Sequence, residues 1–298
     1  MSTTSISVSD HFNAVAAKYE ASVGGCTREL AKYLVDILPL FDDSTQILDN
    51  ACGPGVLAQE IVLKQRDADK EVPSIACVDF APAMVELART FPHAFGLPAE
   101  QRNRITFDVM SGEDLRFPDN EFTHSITNQG ILFFKDGPKG ASEIFRTLKP
   151  GGTAIVTSWA KLGYINLIHH AQSIVRPGGP PFRLPVSDDW FQAAHLEKTL
   201  KDAGFEQVQV HEKMVHYAAK SVTELCDQLT VLFAAGLGLS DSESVVFRKE
   251  LQVAAEKVVV KVERVGSSRD SNRKEELVGV PMIALVAVAK KQVHIVEN

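Results

Sequence analysis

The stretch ILDNACGPGVLA, residues 47–58, places two glycines directly after a short apolar run that ends in a carboxylate, Asp49. Gly53 and Gly55 let the backbone turn sharply between a strand and a helix, so that backbone N–H groups and the helix N-terminus approach a ligand. The next apolar run ends in a second carboxylate, Asp79, where an acid can accept hydrogen bonds from ribose hydroxyls. These residues predict a site for an adenosine-containing ligand.

Two cofactor classes remain open, because the pattern Gly53-x-Gly55-x-x-Ala58 also matches the dinucleotide fingerprint. Asp49 favours one of them, since a carboxylate beside the glycines would repel the pyrophosphate of a nicotinamide dinucleotide. S-adenosylmethionine carries an ammonium and a sulfonium and has no phosphate. The residues therefore favour S-adenosylmethionine, and a nicotinamide-dependent oxidoreductase is the less favoured alternative.

Residues that often provide metal ligands or acid–base catalysis are scattered along the chain. No C-x-x-C pair is formed by the four cysteines, so neither a disulfide framework nor a metal site is predicted. His124 begins a predicted strand, whereas ligands bind at the carboxyl ends of strands, so we expect a structural histidine. His170 and Asn128 are weak candidates for catalysis. An apolar substrate pocket is expected from the residues near the same edge: Phe133, Trp159, Tyr164 and His169.

Five blocks of sequence occur in a fixed order: ILDNACGPG, ACVDFAPAMVELA, GEDLRFPDNEF, EIFRTLKPGG and LKDAGFEQVQV. Together they resemble the class I S-adenosylmethionine-dependent methyltransferases, over residues 10–210 and the final predicted strand. The DNACG variant, the TSWA run and a long late insertion look most like fungal small-molecule methyltransferases of natural-product pathways, including those that methylate thiols. None of the blocks specifies the acceptor.

The resemblance implies a role for individual residues. The turn from Asp49 to Gly55, with Asn50 and Ala51 in it, would hold the methionine part of the cofactor, and Asp79 would hold the ribose. Tyr19 matches a lid tyrosine that closes over the ligand in many relatives. The remaining implied cofactor contacts are Phe80 and Met84 at the adenine, Ser111 and Gly112 at the adenine amine, and Asn128 and Gln129 next to the methyl group.

Three positions depart from the family pattern. Ala51 replaces the usual first glycine, and we expect a mild effect, because an alanine can turn without a positive φ. Ser111 replaces the usual acid, which would leave more of the adenine recognition to Asp79 and the backbone. Thr123 stands where an aspartate is frequent.

Composition narrows the class of protein. The 298 residues are 45% hydrophobic and 23% charged, as in an ordinary soluble globular chain. The formal net charge of -7 disfavours nucleic acid or an anionic membrane as the main partner, since either selects a basic surface. The N-terminus lacks the pattern of a secretory signal, and no apolar run reaches membrane-spanning length. A small-molecule partner and a cytoplasmic location are expected, with the oligomeric state open.

The elements that must position these residues follow an alternating pattern of short β-like runs and helical segments. The pattern predicts an α/β fold, a Rossmann-like, seven-stranded, mostly parallel sheet with helices on both faces and an antiparallel last strand. Residues 1–40 are assigned to lid helices, and residues 41–220 with 281–292 to the cofactor-binding domain. Residues 221–280 are predicted as a helical cap, within which the run VVVKV leaves the end of the second helix open.

The resemblance implies direct displacement of the methyl group onto a sulfur, oxygen or nitrogen atom of a small, natural-product-like acceptor. A thiol is partly ionised near neutral pH and needs little help, whereas an alcohol needs a positioned base, and no clear histidine–acid pair is present to provide one. The alternative in another class is a methyltransferase-like protein that binds S-adenosylmethionine or a substrate without methylating, for example to promote a cyclisation.

Overall fold

The computed structural model describes residues 8–16, 19–265 and 274–293. Its strands are β1 (Gln46–Asn50), β2 (Ser74–Asp79), β3 (Ile105–Val109), β4 (Phe122–Thr127), β5 (Leu148–Lys161), β6 (Gln207–Ala219), β7 (Val260–Val265) and β8 (Lys274–Lys290). Its helices are α1 (Val8–Val15), α2 (Tyr19–Ser22), α3 (Cys26–Asp36), α4 (Val56–Asp67), α5 (Pro82–Ala88), α6 (Phe91–Ala94), α7 (Ala99–Arg102), α8 (Gly137–Thr147), α9 (Tyr164–Val175), α10 (Ala193–Asp202), α11 (Val222–Phe233) and α12 (Asp241–Ala255).

The first five strands form the parallel part of one sheet, in the order β3, β2, β1, β4, β5. β1 pairs with β2 on one side and with β4 on the other, so the strand order reverses at β1. In open α/β sheets, ligands bind outside the carboxyl ends of the strands at such a point. The loops after β1, β2 and β4 therefore share one edge, as the sequence predicted.

The last strand is antiparallel, as predicted, and β8 pairs with both β5 and β6. The prediction of seven strands was one short, because β7 pairs in antiparallel fashion with the first residues of β8, from Val260 opposite Gly279 to Val265 opposite Lys274. The β-branched run VVVKV thus leads into a strand after α12 has ended at Ala255. The range 221–280 contains α11, α12, β7 and the start of β8.

The N-terminal helix α1 lies over the edge where β2 ends. Ala16 is buried with Ala81 and Met84 in a small apolar cluster of its own, and Phe12 packs against it. The side chain of Asn13 accepts a hydrogen bond of 3.0 Å from the backbone N–H of Ala83, at the start of α5. Residues 1–7 and 17–18 of the predicted lid lie outside the described residues. Within the described ranges, no helix is both long and apolar enough to cross a bilayer.

A cluster of charged and polar groups joins the turn after α2 to the late insertion. Arg264 on β7 donates to the Glu29 carboxylate (2.8 Å), to the carbonyl of Gly24 (2.6 Å) and to the carbonyl of His216. The His216 ring lies 3.0 Å from the other Glu29 oxygen. These bonds fix the start of α3 against β6 and β7.

Candidate functional site

The loop between β1 and α4 has the conformation that its glycines predicted. Gly53 (φ 53°) and Gly55 (φ 77°) both adopt left-handed backbone conformations, and Gly55 is the residue that precedes α4. Few L-residues with side chains adopt this region without strain. The loop therefore turns sharply enough to direct the N-terminus of α4 towards the carboxyl edge of the sheet.

Ala51 corrects the sequence expectation for this loop. The backbone at Ala51 has φ 57°, so the alanine keeps the left-handed conformation of the glycine it replaces and does not turn without a positive φ. The ends of β1 and α4 fix the path of the loop on both sides, so the side chain cannot change it. Left-handed conformation costs an L-residue roughly 1–2 kcal/mol.

Ala51→Gly should raise the free energy of unfolding by about 1 kcal/mol, because it removes this strain at a cost in chain entropy smaller than the gain. Urea unfolding measures the change as a higher midpoint at an unchanged slope. Ala51→Ser is the control, since serine keeps a Cβ atom and should show no gain. Equal midpoints for wild type and Ala51→Gly would contradict the strain at this residue.

Asp79 connects two loops at the predicted site. One carboxylate oxygen accepts from the backbone N–H of Gly53 and the other from that of Ala81, both at 2.9 Å. The carboxylate is almost fully buried, and burial raises its pKa, which the two backbone bonds oppose. Asp79 therefore holds the glycine loop against the start of α5, and each oxygen retains a lone pair for a ligand hydroxyl.

Buried polar atoms without partners are concentrated at the ends of β1 and β4. Within the described chain, hydrogen-bond partners are absent for Asp49 Oδ2, both amide atoms of Asn50, Thr127 Oγ1 and Gln129 Oε1. The two strand ends are neighbours, because a Cβ atom on Gly130 would lie 2.5 Å from that of Ala51. Burying such groups unpaired is costly, so their accumulation at one edge fits a polar ligand.

The protonation state of the Asp49 carboxyl depends on its buried surroundings and on the charge of a bound ligand. Burial raises the pKa of its carboxyl to about 8, the backbone N–H of Ala58 opposes the shift, and the neighbouring Asp79 carboxylate adds to it. Below this pH the carboxyl is mostly protonated without ligand. A net cationic ligand such as S-adenosylmethionine favours the carboxylate, and the residues therefore fit this cofactor.

We expect S-adenosylmethionine binding to release a proton at pH 7 and to strengthen as the pH rises towards about 8, where the Asp49 carboxyl of the free protein ionises. Calorimetric titration in phosphate and in Tris measures the release from the difference in apparent enthalpy. Asp49→Asn, which cannot ionise, is the matched control and should lose this contribution. The same proton release by the wild type and Asp49→Asn would contradict the assignment.

The end of β4 is held by side chains of its neighbours. Asn128 donates through Nδ2 to the carbonyl of Thr27 (3.1 Å), and its Oδ1 accepts from the Thr157 hydroxyl (3.2 Å). Gln129 has φ 58° and donates through its backbone N–H to the same hydroxyl (2.8 Å). Asn128, a weak candidate for catalysis, thus ties α3 to β4 and β5, and the strained backbone of Gln129 marks the same edge.

The loop after β3 contains a carboxylate that the sequence analysis did not single out. The Ser111 hydroxyl donates to Glu113 Oε2 (3.2 Å), and Glu113 Oε1 accepts from the backbone N–H of Asp136 (2.5 Å). Gly112 is closely surrounded, since a Cβ atom there would lie 2.3 Å from the Phe134 ring and 2.7 Å from Asn50 Oδ1. An acid therefore remains near Ser111, two residues later in the same GED block.

Phe12 is a second residue that the candidate set omitted. Its ring makes edge contacts with Phe80 (6.0 Å between centroids) and Phe133 (5.1 Å), and it lies 6.3 Å from Tyr19. α1 thus brings together residues that follow β2 and β4 with the predicted lid tyrosine. The apolar face of the first helix was the available signal, but it did not identify what the helix covers.

A group of aromatic residues from α9, the loop after it, β6 and α11 packs together beyond the end of β5. We name Tyr164, Tyr217, Phe233 and Phe182 the aromatic wall, because their rings form a continuous chain of contacts at 5.1–5.5 Å. Trp159, near the end of β5, is also buried. Tyr164 and Trp159 were expected from the sequence, whereas Tyr217 and Phe233 come from β6 and α11 and carried no sequence signal.

The histidines near this region have partners of their own. The His169 ring lies 2.8 Å from the carbonyl of Phe182. His170, the second weak candidate for catalysis, is exposed, and its ring lies 3.8 Å from the Glu250 carboxylate on α12. His124 packs at the other end of β4 against Phe41, with burial lowering its pKa. In the described part of the chain, no group of metal-ligating residues is assembled.

Comparisons with known proteins agree with this geometry. A sequence profile for a "Methyltransferase domain" matches residues 48–156. The C-methyltransferase UbiE of ubiquinone and menaquinone biosynthesis from Rickettsia rickettsii is 30% identical over 178 residues, 55% of this chain and 70% of the relative. Acetylaranotin bis-thiomethyltransferase of Aspergillus terreus is 24% identical over 193 residues, 62% of this chain and 64% of the relative.

Curated fungal methyltransferases are matched over only part of their length, with 58% to 66% of each relative covered. Among solved structures, that of the (4+2)-cyclase SpnF aligns with 96% of this chain and 96% of its own, at a TM-score of 0.57 and 18% identity. That likeness concerns the fold.

Proposed function

Because the chain belongs to the class I S-adenosylmethionine-dependent methyltransferases, we propose that it transfers a methyl group to a heteroatom of a small, apolar, natural-product-like acceptor. The observation that carries this proposal is the set of buried, unpartnered polar atoms at the ends of β1 and β4, beside the Asp79 carboxylate. They suit a polar, cationic cofactor at a sheet edge, and the aromatic residues around them suit an apolar acceptor.

The proposed cofactor contacts divide by position. The turn from Asp49 to Gly55 holds the methionine part, and Asp79 accepts from the ribose hydroxyls. The remaining residues surround the adenine and the methyl group: Phe80, Met84, Ser111, Gly112, Asn128 and Gln129. Met84 is buried with Ala16 and Ala81 in the apolar cluster under α1. Tyr19, with Phe12 beside it, closes the site from α2.

When bound, S-adenosylmethionine supplies an electrophilic methyl group and departs as a neutral thioether. The residues of this chain hold the two reactants in line and exclude water, which converts a bimolecular displacement into an effectively unimolecular one. α1 and α2 cover one side of the edge, and the aromatic wall covers another. The main contribution of the protein to the reaction rate is therefore the positioning of the two reactants.

Proton removal limits the choice of acceptor. Burial raises the pKa of Tyr19 and Tyr164, so these phenols stay protonated and do not act as bases. His169 is bonded to a carbonyl and His170 faces α12. A thiol, a phenol or an amine, which needs little activation, is thus favoured over an alcohol. The thiomethyltransferase of Aspergillus terreus, a similar protein, supports a thiol.

The cellular setting is proposed on the same grounds. The four cysteines are buried free thiols, which supports a reducing compartment such as the cytosol. The similarity to fungal methyltransferases supports a role in secondary metabolism. The net charge of -7 supports a small molecule over nucleic acid as the partner.

Calorimetric titration with S-adenosylmethionine, S-adenosylhomocysteine and NAD tests the proposal. We expect binding of the first two alone, and then a gain of one methyl mass in a panel of aromatic thiols, phenols and amines. Binding of S-adenosylmethionine with no transfer to any acceptor would favour the cyclase-type alternative. Binding of NAD alone would favour an oxidoreductase and overturn the proposal.

A further inference from the structure

Tyr164 occupies a particular place between the sheet edge and the late insertion. It is the first residue of α9 and follows the carboxyl end of β5 after only two residues. Its ring lies 5.5 Å from those of Tyr217 and Phe233, and the side chain is 9% exposed. Tyr164 is therefore the member of the aromatic wall that lies nearest in sequence to the reacting edge.

Contacts on the described chain connect this tyrosine to the end of β4. Asn128, which follows β4, is bonded to Thr27 on α3 at 3.1 Å, and Cys26 precedes Thr27. The Tyr164 ring lies 5.5 Å from that of Tyr217, whose hydroxyl donates to the carbonyl of Ser22. The aromatic wall and the end of β4, the proposed methyl position, are thus both attached to residues 22–27.

The two tyrosines of the wall differ in what their hydroxyls do. Tyr217 donates to the carbonyl of Ser22 on α2 at 3.2 Å, which anchors the helix that carries Tyr19. Within the described residues, no hydrogen bond is formed by the Tyr164 hydroxyl, and burial keeps it protonated by raising its pKa. A protonated phenol that forms no hydrogen bond can donate one to an acceptor atom of a ligand that packs beside it.

Charge near this region is neutralised. Glu29 and Arg264, which both interact electrostatically with Cys26, are paired with each other at 2.8 Å. The Asp79 carboxylate is engaged by two backbone N–H groups. A charged acceptor would therefore enter without a counter-charge among these groups, whereas an uncharged aromatic molecule would match the wall.

We propose that Tyr164 positions the acceptor, by donating a hydrogen bond from its hydroxyl to an oxygen atom of a flat, uncharged aromatic molecule that packs against the aromatic wall. This inference rests on the proposed function and names its substrate class. At the reacting end of the acceptor, a sulfur, oxygen or nitrogen lone pair forms the new bond to the methyl carbon. The carbon–sulfur bond of the donor breaks with its electron pair passing to sulfur, and the proton of the acceptor is released to the bulk solvent outside the closed site.

Equilibrium binding of 2-naphthol and naphthalene to the full-length protein, saturated with S-adenosylhomocysteine, tests the role. The wild type should bind 2-naphthol about tenfold more tightly than naphthalene, as expected for one buried hydrogen bond. Tyr164→Phe keeps the ring and should bring this ratio close to one. Tyr217→Phe is the matched control, because its hydroxyl is already bonded to Ser22, and should keep the wild-type ratio.

A ratio in Tyr164→Phe equal to that of the wild type overturns the proposal, and so does a wild type that binds neither probe at their solubility limits. The ratio of the two affinities also distinguishes a lost hydrogen bond from a packing defect, because a packing defect would weaken the binding of both probes to the same extent. The affinity for S-adenosylhomocysteine, measured first, should be unchanged in Tyr164→Phe. A protein that fails to bind S-adenosylhomocysteine contradicts the proposed function, and the two probes are then compared on the free protein.

Discussion

Asp79→Ala weakens S-adenosylmethionine binding by about 1.5–3 kcal/mol, roughly 10- to 150-fold, while the fold remains intact. The expected loss has two origins. The variant lacks the carboxylate proposed to accept from the ribose, and the backbone N–H groups of Gly53 and Ala81 lose the group that holds the glycine loop against α5. Calorimetric titration with S-adenosylmethionine measures the affinity, and thermal unfolding checks the fold.

Two variants make this result interpretable. Asp79→Asn keeps one carbonyl oxygen in the same place and should lose less affinity than the alanine variant. Asp108→Ala makes the same change at an exposed aspartate on β3, opposite Val78, and should bind like the wild type. An unchanged affinity in Asp79→Ala would remove this residue from the cofactor site.

Arg264→Met lowers the free energy of unfolding by about 2–3 kcal/mol, because it leaves the Glu29 carboxylate with one partner fewer in a largely buried place. Arg264 and Glu29 are 19% and 24% exposed, so solvent screens the loss only in part. The same arginine also bonds the carbonyls of Gly24 and His216. Urea unfolding at pH 7 measures the change.

The control for Arg264 is an ion pair of the same insertion that lies in solvent. Lys274 and Glu263 are paired at 3.2 Å, with 71% and 65% of their side chains exposed. Lys274→Met should change the free energy of unfolding by less than about 0.5 kcal/mol. Similar losses of unfolding free energy in the two variants would show that the buried cluster stabilises the protein no more than an exposed ion pair does.

The pH dependence of this cluster has a defined sign. Burial raises the pKa of Glu29, but the bonds with His216 and Arg264 outweigh it and leave the pKa below its ordinary value. The stabilisation is thus present above the ordinary pKa of a glutamate and is lost as the pH falls through the lowered value. As the pH falls through this range, the free energy of unfolding of Arg264→Met should decrease less than that of the wild type.

The fold and the glycine loop after β1 could be predicted because they depend on local requirements. Gly53 and Gly55 permit left-handed turns, and alternating apolar runs specify strands, wherever the chain goes afterwards. The parallel order then brings the ends of β1, β2 and β4 to one edge without further information. Asp49, Asp79 and Asn128 were therefore placed together from the sequence.

Other features depended on partners far along the chain. The end of the run VVVKV lies in a strand because it pairs with β8. The position of α1 depends on contacts of Phe12 with Phe80 and Phe133. Glu113, two residues after Ser111, also accepts from the backbone N–H of Asp136, 23 residues further along the chain. Local propensity cannot specify such contacts, because they form only when distant elements pack.

The sequence by itself determined the class of fold, the glycine loop after β1 and the carboxylates around it, since each follows from backbone conformation and strand order. Tertiary structure alone decided which side chains have partners. Tyr164 and Tyr217 are the same residue type in contact with each other, yet one hydroxyl is bonded to Ser22 and the other is not. Ala51 likewise adopts φ 57° because the flanking elements impose it. Burial and pairing are properties of the packed chain, and they determine where chemistry takes place.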